Sequence, residues 1–364
     1  MKFTVKKEVL VDAFAKIGKV LSNKTTIPVL RGVKVEARAD CILLTASDAS
    51  ESIIHRIPAD PGKAVIELEG EAVFKREALE VASKLSGDIT YELEEDTLHV
   101  TQAKTKLDFS TMPATDFPKI PTTNSKPISL TGQQFSDLIA RTVYAVSKSE
   151  VRPVLTGVNL SFGKELQAVS TDSHRLSKVT IPLETEMEEI CITVPGKMLE
   201  HALKAFDLSQ NVFLTAEQNQ IAMVNGNTIY LSRLIDGQYP ATDRLIPTDF
   251  KHEMTASTEE LKDTLTLLAT LSKEGVVKME VDGMFVKFQS RSETSKGERE
   301  IAYHEYTGEE GFAISYSTVF LLDALKRVES DSVKLKFVDP MRPFIVEGLD
   351  GTDQTQLILP VRTY

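Results

Sequence analysis

The sequence predicts an α+β fold repeated three times along the chain. Three observations carry this: a self-match at a spacing near 125 residues, an amphipathic helix near the start of each copy, and period-two strands over most of the rest. Ile27-Pro28-Val29-Leu30-Arg31-Gly32-Val33 returns as Arg152-Pro153-Val154-Leu155-Thr156-Gly157-Val158, with Pro28 to Pro153 a step of 125. Pro113-Ala114-Thr115-Asp116 returns as Pro240-Ala241-Thr242-Asp243, a step of 127. Ser22, Ser147 and Ser272 extend the register to a third copy in two further steps of 125. A repeat this long is a domain rather than a solenoid turn.

Each copy reads as a short strand, a helix, alternating strands, a second helix and further strands. Leu10, Phe14, Ile17 and Leu21 are spaced to share one face of the first helix, and Phe135, Leu138, Ile139, Thr142 and Val146 repeat that face. The second helix recurs as Leu199-Glu200-His201-Ala202-Leu203-Lys204 and Leu321-Leu322-Asp323-Ala324-Leu325-Lys326, with Leu79 to Leu85 in the corresponding place of the first copy. Ile89-Thr90-Tyr91-Glu92-Leu93-Glu94 and Val333-Lys334-Leu335-Lys336-Phe337-Val338 alternate apolar with polar, the mark of antiparallel strands with one face on a core. The prolines of Pro118 to Pro127 and Pro240 to Pro247 interrupt both kinds of element. They place the domains at 1–125, 126–248 and 249–364.

A chain of 364 residues with 41% hydrophobic and 26% charged residues holds enough apolar material for several cores. Met1 to Lys7 has no apolar signal segment and no stretch is long enough to span a membrane, so a cytoplasmic location is expected. Cys41 and Cys191, in strand-like surroundings, read as small buried thiols. The formal charge of −11 excludes a protein coated with basic surface, so contact with nucleic acid requires locally positive faces.

Together with the threefold repeat, Thr171-Asp172-Ser173-His174-Arg175-Leu176, Asp236-Gly237-Gln238-Tyr239-Pro240 and the ending Leu359-Pro360-Val361-Arg362 resemble the bacterial DNA polymerase III β clamps. The resemblance spans the whole chain. It implies the DNA clamp fold, in which each of three homologous domains packs two helices on antiparallel sheets. It also implies a head-to-tail ring dimer with helices lining the hole. Twelve helices at roughly 10 Å spacing leave about 28 Å clear, enough for duplex DNA, whereas six leave only about 9 Å. The dimer is therefore a functional requirement.

The resemblance further implies that Lys24, Lys75, Arg76, Lys148, Lys197 and Lys204 face the DNA. Read alone, such lysines fit better the negative ends of helix dipoles on an ordinary solvated surface. The carboxylate runs Glu92 to Asp96 and Glu184 to Glu189 belong on outer faces by the same reasoning, or are simply solvated strand ends. At the ring interface the family pattern pairs Leu107 and Phe109 of one copy with Thr270 and Leu271 of the other. Thr270 stands where an aliphatic residue is often found.

A peptide-binding pocket for replicative polymerase, clamp loader and repair proteins is the family's second working surface. Its matching residues are Arg152 and Leu155; Thr171, His174, Arg175 and Leu176; Pro240, Arg244 and Leu245; Met341 and Pro343; and Leu357, Ile358, Leu359, Pro360, Val361 and Arg362. Such a set predicts an apolar pocket rimmed by arginine and histidine donors, suited to leucine or phenylalanine anchors beside a polar handle. No metal or cofactor is implied. Two other readings stay open: a non-replicative clamp-like scaffold, and an enzyme using Asp172 and His174, against which their adjacency in the chain argues.

Overall fold

The structure, a computed structural model, describes residues 1–21, 25–121, 125–184, 188–217, 219–271, 275–351 and 353–362. Lys24, the repeated Ser22 and Ser272, and the middle of the 184–189 carboxylate run lie outside the described residues.

Among the described residues six α-helices follow in chain order: α1 (Lys7–Ile17), α2 (Arg76–Glu80), α3 (Gly132–Thr142), α4 (Gly196–Ala205), α5 (Thr258–Ala269) and α6 (Thr318–Leu325). The first helix of the first two copies is shorter than its apolar spacing predicts, so Leu21 and Val146 fall beyond it. α1 stops at Gly18, a poor helix former whose N–H closes the last turn on the Phe14 carbonyl. In α3 the Thr142 hydroxyl bonds back to the Leu138 carbonyl at 2.6 Å, and Val143–Ala145 tightens into a 3₁₀ turn.

The chain forms two compact units, residues 1–136 with 197–234 and residues 137–196 with 235–364. The first holds a five-stranded sheet in the order 64–68, 2–6, 88–94, 97–102, 105–110. Beside it an eight-stranded sheet runs 128–130, 212–216, 220–225, 228–233, 51–58, 41–47, 33–38, 70–74. The second unit has a nine-stranded sheet ordered 190–195, 157–162, 165–171, 175–182, 354–358, 344–348, 332–337, 252–257, 305–307. Its four-stranded sheet runs 296–302, 285–291, 276–282, 313–317. Every named strand pair is antiparallel, as period-two alternation predicts.

Strand pairing joins one repeat to the next in both large sheets, and the two joints share a register. Ser52 opposite Leu231 and Ile54 opposite Ile229 in the first correspond to Leu176 opposite Leu357 and Lys178 opposite Thr355 in the second. In the second unit α5 and α6 bury Leu261, Leu265 and Leu268 with Leu321, Ala324 and Leu325 against Met254, Phe337 and Phe344.

The repeated Pro-x-Leu-x-Gly has a physical cause. Pro28 and Pro153 each open a 3₁₀ turn, where the missing N–H is harmless; Leu30 and Leu155 are buried; and Gly32 and Gly157 pass too close to a neighbouring strand for a Cβ. Such an atom would lie 2.6 Å from the Phe74 carbonyl at Gly32 and 2.8 Å from the Val194 carbonyl at Gly157. Cys41 is buried as expected, but Cys191 is exposed. It lies on the outermost strand of its sheet, where one flank has no neighbouring strand among the described residues, and its Sγ sits 3.4 Å from Asn159 Oδ1.

Candidate functional site

The candidate pocket is built in the second unit around the turn that joins strands 165–171 and 175–182. Asp172 Oδ1 accepts the backbone N–H groups of His174 and Arg175 at 2.9 and 3.0 Å, and the Thr171 hydroxyl donates to the Arg175 carbonyl at 2.6 Å. Ser173 adopts a left-handed φ of 77° at the apex. The Asp172 carboxylate is thereby committed to backbone and to Arg175 Nε at 3.0 Å, and does not reach the His174 ring as a relay would require. The His174 ring instead stacks on Phe320, centroids 6.1 Å apart.

Arg175 differs from its expected role. It is buried rather than on the rim, bridging Asp172, Asp323 Oδ2 at 2.8 Å and the Tyr144 carbonyl at 2.7 Å. Its guanidinium lies 4.8 Å from the Phe320 centroid and 5.2 Å from that of Tyr144. Burial pushes the Tyr144 phenol up to about 12, so it stays protonated and donates to Gln356 Oε1 at 2.6 Å. Arg175 therefore fixes the turn that carries the pocket.

Strand alternation sends Leu176 to the opposite face. There it forms one buried cluster with Val169, Ile345 and Leu357, against which Tyr239, Ile246, Phe250 and Leu359 pack. The structure thus unites Leu176, Leu357 and Leu359 of the predicted set. Ile358 turns the other way, into the core under α5 and α6, because neighbours in a strand face opposite sides. The Leu359 N–H donates to the His174 carbonyl and that of Val361 to the Ser315 carbonyl, while Pro360 bridges to Tyr316, so the C-terminal segment is tied to the same turn.

Leu155 and Thr171 are buried and Pro343 half-buried. Arg152, Pro240, Arg244, Leu245, Met341 and Arg362 are exposed, Leu245 and Met341 more than half, and these supply the accessible apolar anchors and cations of the set. Sequence reasoning missed Val169, Tyr239, Ile246, Phe250 and Ile345. Val169 and Ile345 were readable from strand alternation with Leu176 and Leu357 as guides; the others lie in irregular chain without a period.

Family models for the DNA polymerase III beta subunit match the chain in three consecutive stretches: the N-terminal domain at residues 1–121, the central domain at 129–241 and the C-terminal domain at 243–362. The chain belongs to this family of sliding clamps. The beta sliding clamps of Bacillus subtilis and Staphylococcus epidermidis are 34% and 32% identical to it over alignments of 382 and 378 residues that cover both chains in full. The crystal structure of the DNA polymerase sliding clamp from Bacillus subtilis matches with a TM-score of 0.96 at 33% identity, again over 100% of each chain.

Of the basic residues expected to face DNA in a clamp, Lys197 and Lys204 lie exposed along one side of α4 with Glu200 between them. Lys75 is exposed at the N-terminus of α2, Lys148 is exposed in the segment after α3, and Arg76 is half-buried and paired with Glu80 at 2.6 Å. Acidic side chains outnumber basic ones within the six helices; the positive charge gathers at their ends.

Leu107 and Phe109 are half-buried on the outermost strand of the five-stranded sheet, where alternation puts both on one face. Thr270 is exposed at the end of α5, its hydroxyl turned back onto the Leu267 carbonyl at 2.7 Å. Leu271 packs into its own unit, with Cδ1 so close to Gly297 that a Cβ there would be 2.2 Å away. The exposed leucine at this helix end is Leu267, 51% accessible. No helix among the described residues is long and apolar enough to cross a membrane.

Proposed function

We propose that two copies of this chain, each of three domains (1–125, 126–248, 249–364), join head to tail into a ring around duplex DNA. Acting in the cytoplasm and without catalysis of its own, the ring holds DNA polymerase III to its template as a processivity factor. The observation that carries this reading is the match to all three domains of the sliding-clamp family along the full chain. Two outermost strands, Thr105–Ser110 in the first unit and Lys296–Ala302 in the second, offer free backbone hydrogen-bonding groups from which two copies can close a ring.

The polymerase, clamp loader and repair proteins attach through short segments that seat apolar side chains on the Leu176–Leu357–Leu359 cluster. Exposed Leu245 and Met341 widen the apolar contact, and Arg152 and Arg244 orient the segment's polar groups. DNA is held without base recognition, since a sliding ring requires a phosphate field that fixes no register.

Retention on DNA tests enclosure. A ring loaded on nicked circular duplex is expected to remain through gel filtration at salt concentrations that strip ordinary electrostatic binders, and to escape when the DNA is linearised. Equal loss from both topologies overturns topological tethering.

A further inference from the structure

The outer face of the eight-stranded sheet carries an apolar row where a solvated sheet face is ordinarily polar. Phe213, Val224, Ile229 and Ile54 are successive cross-strand partners, so their side chains stand on one face and run across four strands. Phe213 is 41% and Ile229 36% exposed, while the opposite face at Leu214, Met223, Tyr230 and Ile53 is buried in the core. The equivalent joint in the nine-stranded sheet has Lys178 opposite Thr355 where this one has Ile54 opposite Ile229. Its row is polar, and the exposed apolar row is particular to the first unit.

The row leads into a groove of ≈ 590 Å³ floored by Ile54, Thr45 and Leu43 and walled by the segment 114–120, with Phe117 and Ile120 as its apolar lining. That segment is the first-repeat counterpart of residues 241–247, which bear the exposed Arg244 and Leu245 beside the docking pocket of the second unit. Three cations, Lys34, Arg38 and Lys119, face two carboxylates, Glu36 and Glu71, across the groove. Lys34 is bonded to Glu71 at 2.9 Å and Arg38 to Glu36 at 2.8 Å, whereas Lys119 is exposed and, among the described residues, has no ion pair. The groove is thus one positive charge in excess within a chain of net charge −11.

We propose that this row and groove form a second docking site, distinct from the pocket of the second unit. Its occupant is an extended segment of a partner protein with apolar side chains on alternate residues and an acidic residue at the end that meets Lys119. Three strand spacings span about 14 Å, the length of roughly four extended residues, which sets the size of the segment. Apolar burial along the row supplies affinity and the carboxylate fixes direction.

The probe is a fluorescein-labelled hexapeptide, Leu-Thr-Phe-Thr-Leu-Asp, titrated by anisotropy against the full chain. Saturable binding is expected, weakened at least about tenfold, or about 1.4 kcal/mol, by Ile229→Lys or by Lys119→Glu. Both positions are exposed, so the variants should keep the parental melting temperature. A probe ending in Lys instead of Asp should recover binding to Lys119→Glu and lose it to the parent. In Leu245→Asp, which weakens the pocket of the second unit for such a segment, saturable binding that responds to Ile229→Lys should persist. Absence of saturable binding, indifference to Ile229→Lys, or loss in Leu245→Asp each overturns the second site. None of these results bears on DNA retention.

Discussion

Glu51 and Arg175 occupy the same place at the two joints between repeats, as the first residue of a strand that pairs with the following repeat. Each is buried against the second helix of that repeat: Glu51 meets His201 Nδ1 on α4 at 3.0 Å, and Arg175 meets Asp323 on α6 at 2.8 Å. Acid and base have exchanged sides. Their surroundings differ, because Arg175 also holds Asp172 and the Tyr144 carbonyl, whereas the carboxylate of Glu51, a residue 4% exposed, rests both its oxygens on His201. Removing one member of a buried pair strands the other in a poorly solvated site. His201→Leu, which leaves the Glu51 carboxylate without this hydrogen-bond partner, is expected to lower unfolding stability by about 1–3 kcal/mol. Asp323→Ala should cost less, as Asp172 remains on the guanidinium. Urea denaturation of both variants checks the order; equal losses would mean that Asp172 does not share the charge of Arg175.

His55 gives the first unit a pH dependence of definite sign. Burial lowers its pKa from 6.5 to about 4, and Nδ1 shares a 2.9 Å hydrogen bond with Thr228 Oγ1. Above pH 6.5 the ring is neutral folded or unfolded and contributes no slope. Between 6.5 and 4 only the unfolded chain binds the proton, so stability falls as the pH falls, by up to about 3 kcal/mol from this group. His252, whose pKa burial also lowers, gives the second unit a slope of the same sign. In His55→Gln the loss between pH 6.5 and 4 should shrink by that amount; an unchanged slope in urea melts at stepped pH assigns it elsewhere.

At the scale of elements, α3 begins with a reciprocal cap. The Thr131 hydroxyl accepts the Gln134 N–H at 3.1 Å, and Gln134 Oε1 accepts the Thr131 N–H at 2.9 Å. Gly132, between them, is required by space: a Cβ would lie 2.0 Å from the Leu208 carbonyl oxygen. Gly132→Ala should therefore destabilise, by about 1–3 kcal/mol from overpacking, although alanine is the better helix former by about 1 kcal/mol. A raised melting temperature in this variant would contradict so close an approach of the two backbones.

Where a period or a repeat exists, the sequence discloses both element and reason. Leu10 and Ile17 on the buried face of α1, the alternating burial of strand 332–337 and the recurrence of Pro, Leu and Gly at a step of 125 were legible in this way, whereas Phe14 is only half-buried, Ala13 takes the buried place beside it, and the turn that the recurring Pro-x-Leu-x-Gly forms emerges only on folding. Arg175 was legible in position but not in role, because its partners Tyr144 and Asp323 are brought to it only by folding. Cys191 misled for a related reason, and Leu271, expected at a ring interface, is half-buried against its own unit. Whether a residue near a helix end or on an outer strand faces a core depends on what packs beside it, and no local spacing records that.

For the whole molecule, charge must be concentrated rather than abundant. A chain at −11 repels DNA on average, and its helix bodies hold more acid than base, so attraction requires exposed cations, of which Lys75, Lys148, Lys197 and Lys204 are the candidates. Lys197 and Lys204 are the strongest pair to test, because they share one exposed side of α4 and have no ion pair among the described residues. If both meet phosphates, Lys197→Gln with Lys204→Gln should reduce the slope of log K against log salt for duplex binding by about 1.8, since each neutralised phosphate accounts for roughly 0.9. Enclosure follows from topology, so the same double variant should still be retained on circular DNA at high salt once loaded. A slope equal to that of the parent chain would remove α4 from the DNA-facing surface and leave the field to the other helix ends.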